Sequence, residues 1–367
     1  MMPSPPLNLK FLLLSIASLL LSACGNDDNS SPNYTSQRKM QLDNLYQNGV
    51  ASAHTNFVIA CEQLQQALET LSTTPDLTNL STAKEQWLNT ILKWKHCELY
   101  DVGRINNSHV HFRIQRWPID PEGLAQVLTT EEVVDETFIS SRGSSIIGLS
   151  TIEYLLFSQE ENETLLALST DDNYRAYINS LGQYLLTEAS NLQIAWETYK
   201  TEFIAATGTG LDGGQNMIAN ALIAYLEETI KLRLGHALGQ DNGGTTIYTE
   251  LEAPYAKKSL ELITESFAEW KLMYSGNYPN STDNYGFEDF LLELEYDEID
   301  ANIQQAIQNV DSQLLALSAT PLRDLLDDNL ASIEELQNRL QELLILIKVD
   351  FSSNLNIVVT VTDADGD

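Results

Sequence analysis

The chain has 367 residues, of which 52 are acidic and 20 basic, and its formal net charge is −32. This balance argues strongly against nucleic-acid binding, which requires a basic face. A hydrophobic content of 43% indicates a globular protein, and the length suffices for one large domain or two smaller ones.

Residues 1–23 have the pattern of a bacterial lipoprotein signal peptide. Lys10 precedes an apolar run that is too short to span a membrane, and the run ends in Leu-Ser-Ala ahead of Cys24. This ending resembles a lipobox, and the resemblance implies that Cys24 becomes the lipidated N-terminus. Because Gly25 rather than an aspartate follows, the resemblance also favours the outer membrane, facing the periplasm. Residues 24–39 predict a flexible tether.

Apolar residues at helical spacing dominate the rest of the chain and predict an all-α protein of two packed helical bundles. Longer helices are predicted at 33–71, 80–100, 172–203, 216–234, 250–274, 299–317 and 333–348, and shorter ones at 131–139, 146–157 and 287–294. The glycine-rich run 207–214 is either a domain boundary or an elaborate loop. As a boundary, it separates an N-terminal bundle, 40–206, from a C-terminal bundle, 215–350. The tail, 351–367, predicts a short strand or an extended strap.

A weak internal sequence similarity relates the two halves. Trp94-Lys95 and Trp270-Lys271 each follow an apolar helical pattern and each precede a tyrosine and a glycine. This repetition is consistent with an internal duplication of one bundle. Chance similarity between two amphipathic helices is the competing explanation.

The helix that ends near residue 100 carries the first candidate site residues. Glu98 and Asp101 are three positions apart and should share a helix face. If Glu98 meets Glu153 across a bundle, the two carboxylates would share a proton or hold a hard cation through their oxygens. The alternative is that Glu98 is an ordinary partner of an arginine or lysine.

Arg113, Arg116 and Trp117 lie together in an irregular segment of a chain that has few basic residues. The two arginines are candidates for an anion site or an ion pair. An arginine beside Glu98 or Glu153 would neutralise that carboxylate without a metal, which argues against a metal centre.

Glu153 is one carboxylate inside an otherwise apolar helical pattern, so the sequence predicts that it is buried. A buried carboxylate must be paired, hydrogen-bonded or bound to a metal, because an isolated buried charge is very costly. Ser150 is three positions earlier and should lie on the same face. The alternative is that Ser150 and Glu153 form a capping box that begins a helix.

Two cysteines remain besides Cys24. Cys61 and Cys97 fall in helical patterns on either side of a turn near Pro75, and export would place them in an oxidising compartment. A disulfide between them and two separately buried thiols are both consistent with the sequence.

The run Gly148 to Phe157 resembles the signature of the imelysin family, written Gly-x-His-x-x-Glu before an apolar Tyr-Leu-Leu-Phe-like run. Gly148 and Glu153 match, whereas Ser150 occupies the histidine position. The chain is therefore similar to a branch of the family that lacks the histidine. The segment around Glu98 also resembles the imelysin pattern, and the segment around Trp117 resembles this branch. The resemblance implies two helical bundles with a site in the crevice between them.

The resemblance implies three functions to be tested. The favoured one is a non-catalytic, periplasm-facing lipoprotein linked to uptake or regulation of iron or another metal. Its partners would be the membrane, through the N-terminal lipid, and a metal ion or components of iron uptake. The second is a metal-dependent peptidase with Glu153 as the catalytic base, and the third is an envelope protein-interaction module. Glu98, Asp101, Ser150 and Glu153 are the candidate ligands for a divalent metal or iron.

The lipobox gives a first testable prediction. In the full-length precursor, Cys24→Ser removes the thiol that would receive the lipid, so the variant should appear as a soluble or uncleaved form. Membrane fractionation and the size of the processed chain measure this. Unchanged processing and membrane attachment of the variant would contradict the prediction.

Overall fold

The computed structural model describes residues 34–279, 281–282 and 284–360. The signal peptide, Cys24, most of the tether and the last seven residues of the tail lie outside the described residues. The described part of the chain contains helices and loops and no β-strand, so the all-α prediction is confirmed.

The helices follow one another with short connections through most of the chain. The first half contains α1 (Thr35–Asn44), α2 (Ala51–Thr73), α3 (Leu77–Cys97), α4 (Val110–Ile114), α5 (Pro121–Leu128), α6 (Glu136–Ser140), α7 (Gly148–Phe157), α8 (Glu161–Thr170) and α9 (Asp172–Ala205). The second half contains α10 (Gly214–Glu228), α11 (Ser259–Ser275), α12 (Phe287–Glu293), α13 (Asp297–Leu317), α14 (Leu322–Asp328), α15 (Leu330–Ile345) and α16 (Ser352–Asn354).

Aspartates begin several helices. The side chains of Asp76, Asp120, Asp135 and Asp171 each accept a hydrogen bond from a backbone N–H in the first turn of α3, α5, α6 and α9. These bonds satisfy donors that a helix start otherwise leaves unpaired, and the negative charge is favourable at that end. Local chemistry therefore sets where these helices start.

The two halves share a continuous apolar core. In the first half α2 packs along both α3 and α9, and in the second half α13 packs along α15. The halves meet where α3 packs against α11. Two buried indole rings find acceptors within this core, since Trp87 Nε1 donates to Leu149 O at 2.9 Å and Trp270 Nε1 donates to Leu222 O at 3.0 Å.

The glycine-rich loop, residues 206–213, connects α9 to α10. Its ends are held together by a hydrogen bond from Gly214 N to Ala206 O, at 2.6 Å. Helix α3 comes before this loop in the sequence and α11 comes after it. Because the two helices pack against each other, one apolar core joins the parts of the chain on either side of the loop. A domain boundary here, and a duplication of the two halves, both stay predictions.

Three helical segments are wound as π-helix, at Leu45–Val50, Thr229–Gly235 and Leu346–Phe351. A π turn shifts the side chains that follow it around the helix and is frequent at functional sites. The second of these segments carries Arg233, which reaches the centre of the molecule.

The C-terminal residues 357–360 run beside α10 without helical structure. The Asn216 side chain accepts a hydrogen bond from Val358 N at 2.7 Å, and the Asn220 side chain accepts one from Thr360 N at 2.8 Å. Asparagine amides therefore satisfy the backbone of this segment in place of a neighbouring strand.

Gly148 begins α7 at a point where two backbone segments touch. Its φ is +74°, and a Cβ atom there would lie 2.4 Å from the carbonyl oxygen of Ile114 and 2.7 Å from that of Arg113. Only glycine has both the conformational freedom and the missing side chain that this position requires. The close approach places the start of α7 against the segment that leads to Trp117.

Gly148→Ala should therefore lower the free energy of unfolding by at least about 2 kcal/mol, from the left-handed conformation and the backbone clash together. The matched control is Gly143→Ala, because a Cβ atom at Gly143 would meet nothing within 4 Å. Urea unfolding followed by circular dichroism measures both variants. Equal stability of the two variants would contradict the account of Gly148.

Candidate functional site

Lys95 lies in the last turn of α3 and is completely buried. Its ammonium group donates to Glu98 Oε2 at 2.7 Å and to Gln115 Oε1 at 2.9 Å, and it also forms a short ion pair with Glu252. A buried lysine without such partners would lose its charge. Here acceptors from three parts of the chain surround it.

Arg233 is the second buried cation and binds the same carboxylates from the other side. It donates from NH1 to Glu252 Oε2 at 2.7 Å and from NH2 to Glu228 Oε1 at 2.9 Å, and NH2 lies 3.2 Å from Glu98 Oε1. Ser266 on α11 adds a hydrogen bond to Glu98 Oε1 at 2.6 Å. We call Lys95, Glu98, Glu228, Arg233 and Glu252 the ion cluster.

The charges of the ion cluster determine its protonation. Burial alone would raise the pKa of Glu98, but Arg233 and Lys95 outweigh it and hold that pKa well below its ordinary value. Burial would likewise lower the pKa of Arg233, whereas Glu252, Glu98 and Glu228 raise it. Glu98 and Arg233 therefore both stay charged at neutral pH.

Trp117 lies between the ion cluster and an open cavity. The ring centroid is 5.2 Å from the guanidinium carbon of Arg233 and 5.9 Å from Lys95 Nζ, which are cation–π distances. The same side chain also lines the cavity. The indole thus connects the charged interior to a space that a ligand could enter.

The cavity has a volume of about 250 Å³ and receives residues from both halves of the chain. We call it the Glu153 cavity, and its lining residues are Trp117, Pro118, Ile119, Pro121, Ser150, Glu153, Thr249, Glu250, Leu251, Pro254 and Tyr255. Aromatic and prolyl side chains form much of its wall, and Glu153 and Ser150 are buried polar groups at its surface.

Glu153 is held by backbone amides rather than by a cation. Its Oε1 accepts hydrogen bonds from Tyr255 N at 2.7 Å and Ala256 N at 2.8 Å. Burial raises the pKa of Glu153 to about 8, with the two backbone hydrogen bonds opposing the rise and the charge of Glu252 adding to it. Glu153 therefore carries a proton at neutral pH.

Ser150 lies inside α7 and not at its start. The residue before the helix is Ile147, and no side chain caps that end. The capping-box alternative for Ser150 and Glu153 is therefore wrong. The hydroxyl oxygen of Ser150 is buried and has no hydrogen-bond partner within the described structure. That unused polar atom lines the Glu153 cavity.

The remaining candidate ligands lie elsewhere. Asp101 Oδ2 is 2.6 Å from His111 Nδ1, so its partner lies on α4 and not in the ion cluster. Asp101 lines a different cavity, of about 1150 Å³. The structure therefore brings Ser150 and Glu153 together and separates them from Asp101.

The arginine that meets Glu98 is not one of the two singled out from the sequence. Arg113 pairs with Glu188 at 2.7 Å, and the Arg116 guanidinium lies 5.5 Å from the Phe112 ring centroid. Sequence reasoning missed Arg233 and Glu252. For Arg233 a signal existed, since it is a charge between two leucines within a predicted helix.

Cys61 and Cys97 are both buried free thiols in this structure. Burial, followed by the charge of neighbouring glutamates, raises the pKa of each thiol well above its ordinary value. Of the two arrangements the sequence allowed, the structure therefore has the separate thiols.

Fold and site together define an all-α protein with a carboxyl-bearing cavity between its two halves. The imelysin family model matches residues 50–347, and the chain belongs to that family. Among the described helices, none combines the length and apolar content needed to cross a bilayer.

The chain is similar to the iron-regulated protein A of Synechococcus elongatus. The two are 24% identical over 235 residues, which is 60% of this chain and 59% of that relative. The match thus spans less than two thirds of the relative's length.

Two solved structures have the same fold. An imelysin-like protein from Psychrobacter arcticum 273-4 has a TM-score of 0.72 at 17% identity and covers 90% of this chain and 99% of its own. A protein from Parabacteroides distasonis ATCC 8503, described as an iron-regulated protein A precursor, has a TM-score of 0.74 at 14% identity and covers 89% and 97%. At these identities the likeness concerns the fold alone.

The described residues do not fit a divalent metal in the ion cluster. The oxygens of Glu98 and Glu252 that a metal would use already accept from Lys95 and Arg233. A cation entering there would meet two positive charges, and such like charges repel strongly inside a protein. In the described chain no three His, Cys, Asp or Glu side chains form a group that could hold a metal ion.

The protonated state of Glu153 predicts a pH dependence of stability. The folded protein holds a proton on Glu153 up to about pH 8, whereas the unfolded chain releases it near pH 4.5. Between these values the free energy of unfolding should fall by about 1.4 kcal/mol for each unit that pH rises. Glu153→Gln has no proton to release, so this contribution should vanish from its stability curve.

The measurement is urea unfolding from pH 4 to pH 9, with the difference between wild type and variant plotted against pH. Glu132→Gln is the control, because Glu132 is exposed in the loop before α6. A difference curve for Glu153→Gln as flat as that of the control would show that Glu153 is not a buried neutral acid.

Proposed function

We propose that this protein is an exported, lipid-anchored binding protein that faces the periplasm, is linked to uptake or regulation of iron or another metal, and does not hydrolyse peptides. Two kinds of observation support the cellular context. The N-terminal segment has the signal and lipobox pattern, with Cys24 as the lipidated residue. The relative from Synechococcus elongatus carries the name iron-regulated protein A.

The observation that carries the non-catalytic proposal is the pairing of Glu98 and Glu252 with Lys95 and Arg233. Metal-assisted hydrolysis requires a metal with an open coordination position and a base that can accept a proton. Lys95 and Arg233 occupy the carboxylates of Glu98 and Glu252, so these two glutamates are not free as metal ligands. The chain supplies permanent cations where a metal centre would need vacant oxygens.

Glu153 also suits binding better than base catalysis. A general base must be deprotonated at the working pH, and burial raises the pKa of Glu153 to about 8. The carboxyl group is further fixed by the backbone N–H groups of Tyr255 and Ala256. A carboxyl group held rigidly at a cavity wall is well suited to orienting a ligand.

The proposal predicts that chelators and added metals leave the wild-type protein unchanged. Its melting temperature should be the same in EDTA, Ca²⁺ and Mn²⁺, and purified protein should not release fluorescent peptides from labelled casein. A fall of the melting temperature in EDTA, or casein hydrolysis that Glu153→Gln abolishes, would favour the peptidase instead.

Lys95→Ala is the matched control for this experiment. It removes the ammonium group from between Glu98 and Glu252 and leaves two buried carboxylates underpaired, which should cost about 3–5 kcal/mol. Mn²⁺ should recover part of that loss, because a hard cation can take the place of the ammonium group. A response of this variant alone shows that the assay detects a metal at the ion cluster.

A further inference from the structure

Glu153 differs from the buried carboxylates of the ion cluster in having no cationic partner. Glu98 and Glu252 each contact both Lys95 and Arg233. The hydrogen bonds to Glu153 come from two backbone amides and end on Oε1, so Oε2 remains available. Its charged neighbour, Glu252, has the same sign. A carboxyl group without a counter-charge is thus placed at the wall of an open cavity.

The lining of the Glu153 cavity selects against anions. It contains the acidic side chains of Glu153 and Glu250 and includes no lysine, arginine or histidine. Behind Trp117, the ion cluster contributes three carboxylates against two cations. One cation, Arg323, contacts the wall from outside the lining, where it donates to Pro254 O at 3.3 Å. Acidic groups outnumber it in a chain whose net charge is −32, so the potential in the cavity is negative once Glu153 ionises. A cationic ligand is favoured over a neutral one, and a neutral one over an anion.

The walls and the unused polar atom indicate an organic cation with an N–H group. Trp117 and Tyr255 present aromatic surface, which attracts cations and packs against hydrocarbon. The Ser150 hydroxyl is buried and unpartnered, so a ligand that donates a hydrogen bond would remove an existing cost. An ammonium group has three N–H donors and no acceptor, which matches acceptors at Glu153 and Ser150.

We propose that the Glu153 cavity binds the protonated amino group of a small organic amine, with Glu153 and Ser150 accepting its N–H bonds and with Trp117 and Tyr255 packing on its apolar part. This inference rests on the proposed function as a binding protein and names its ligand class. On binding, the carboxyl proton of Glu153 passes to solvent, and the resulting carboxylate pairs with the ammonium ion.

The size of the cavity limits the ligand. Its volume of about 250 Å³ corresponds to roughly eight water molecules at about 30 Å³ each. A molecule with about eight non-hydrogen atoms, such as benzylamine, fills it. Benzyl alcohol has the same shape and lacks the charge, so the two compounds form a matched pair of probes.

The test is a titration of each probe into the purified protein, followed by ligand-observed NMR at pH 8. Benzylamine should bind at least tenfold more tightly than benzyl alcohol. Glu153→Gln should abolish this preference, because the amide cannot pair with a cation. Ser150→Ala should weaken benzylamine several-fold and should affect benzyl alcohol less. Glu132→Gln, which removes an exposed carboxylate remote from the cavity, should bind both probes like the wild type.

Three results would overturn the inference. They are equal binding of the two probes, an amine preference that survives in both Glu153→Gln and Ser150→Ala, and no binding of benzylamine at all. These results leave the proposed function standing if the protein neither responds to metals nor hydrolyses casein. Casein hydrolysis, conversely, would overturn the proposed function whatever the probes do.

Discussion

The buried ion cluster is the interaction on which the arrangement of the site depends. Lys95 and Arg233 come from distant parts of the sequence and share Glu98 and Glu252. The cluster thus ties the end of α3 to the π-helical segment Thr229–Gly235 and to the loop before α11. Removing Lys95 or Arg233 leaves the buried carboxylates of Glu98 and Glu252 underpaired, which costs about 3–5 kcal/mol. Apolar packing holds the two halves together, and the cluster sets how they are aligned with each other.

The Glu153 cavity depends on that alignment of the two halves. Glu252 anchors a loop in which Tyr255 and Ala256, three and four residues further on, donate their backbone N–H groups to Glu153. On the opposite wall, Gly148 lets α7 touch the backbone at Ile114, just ahead of Trp117. Each wall is therefore positioned by a contact outside the cavity. The carboxyl group of Glu153 consequently has a fixed orientation and an environment that favours its neutral form.

The same cluster supports the proposal that this chain is not a metal-dependent hydrolase. A metal centre needs vacant oxygens and an exchangeable position, whereas Lys95 and Arg233 are covalently part of the chain and cannot leave. Ser150, at the position where the imelysin signature has histidine, removes one nitrogen ligand as well. Both differences disfavour a metal centre, because ion pairs and a hydroxyl group stand where metal ligands would be needed. The proposed amine site beside such a cluster is consistent with the proposed binding protein.

The sequence alone determined the features that depend on local pattern. Helical periodicity predicts the all-α fold, and the apolar neighbours of Glu153 predict its burial, because both follow from spacing along one element. The partners of buried charges depend instead on residues far apart in sequence. Arg113 and Arg116 are close to Glu98 in sequence, yet Arg233 meets it, because α10, which leads into the segment that carries Arg233, packs against the turn Glu98–Tyr100. The sequence predicts a helix over 250–274, yet that helix begins only at Ser259 and Glu252 lies in the loop before it. Only the tertiary structure could therefore bring Glu252 to Lys95 and make Glu153 a neutral acid.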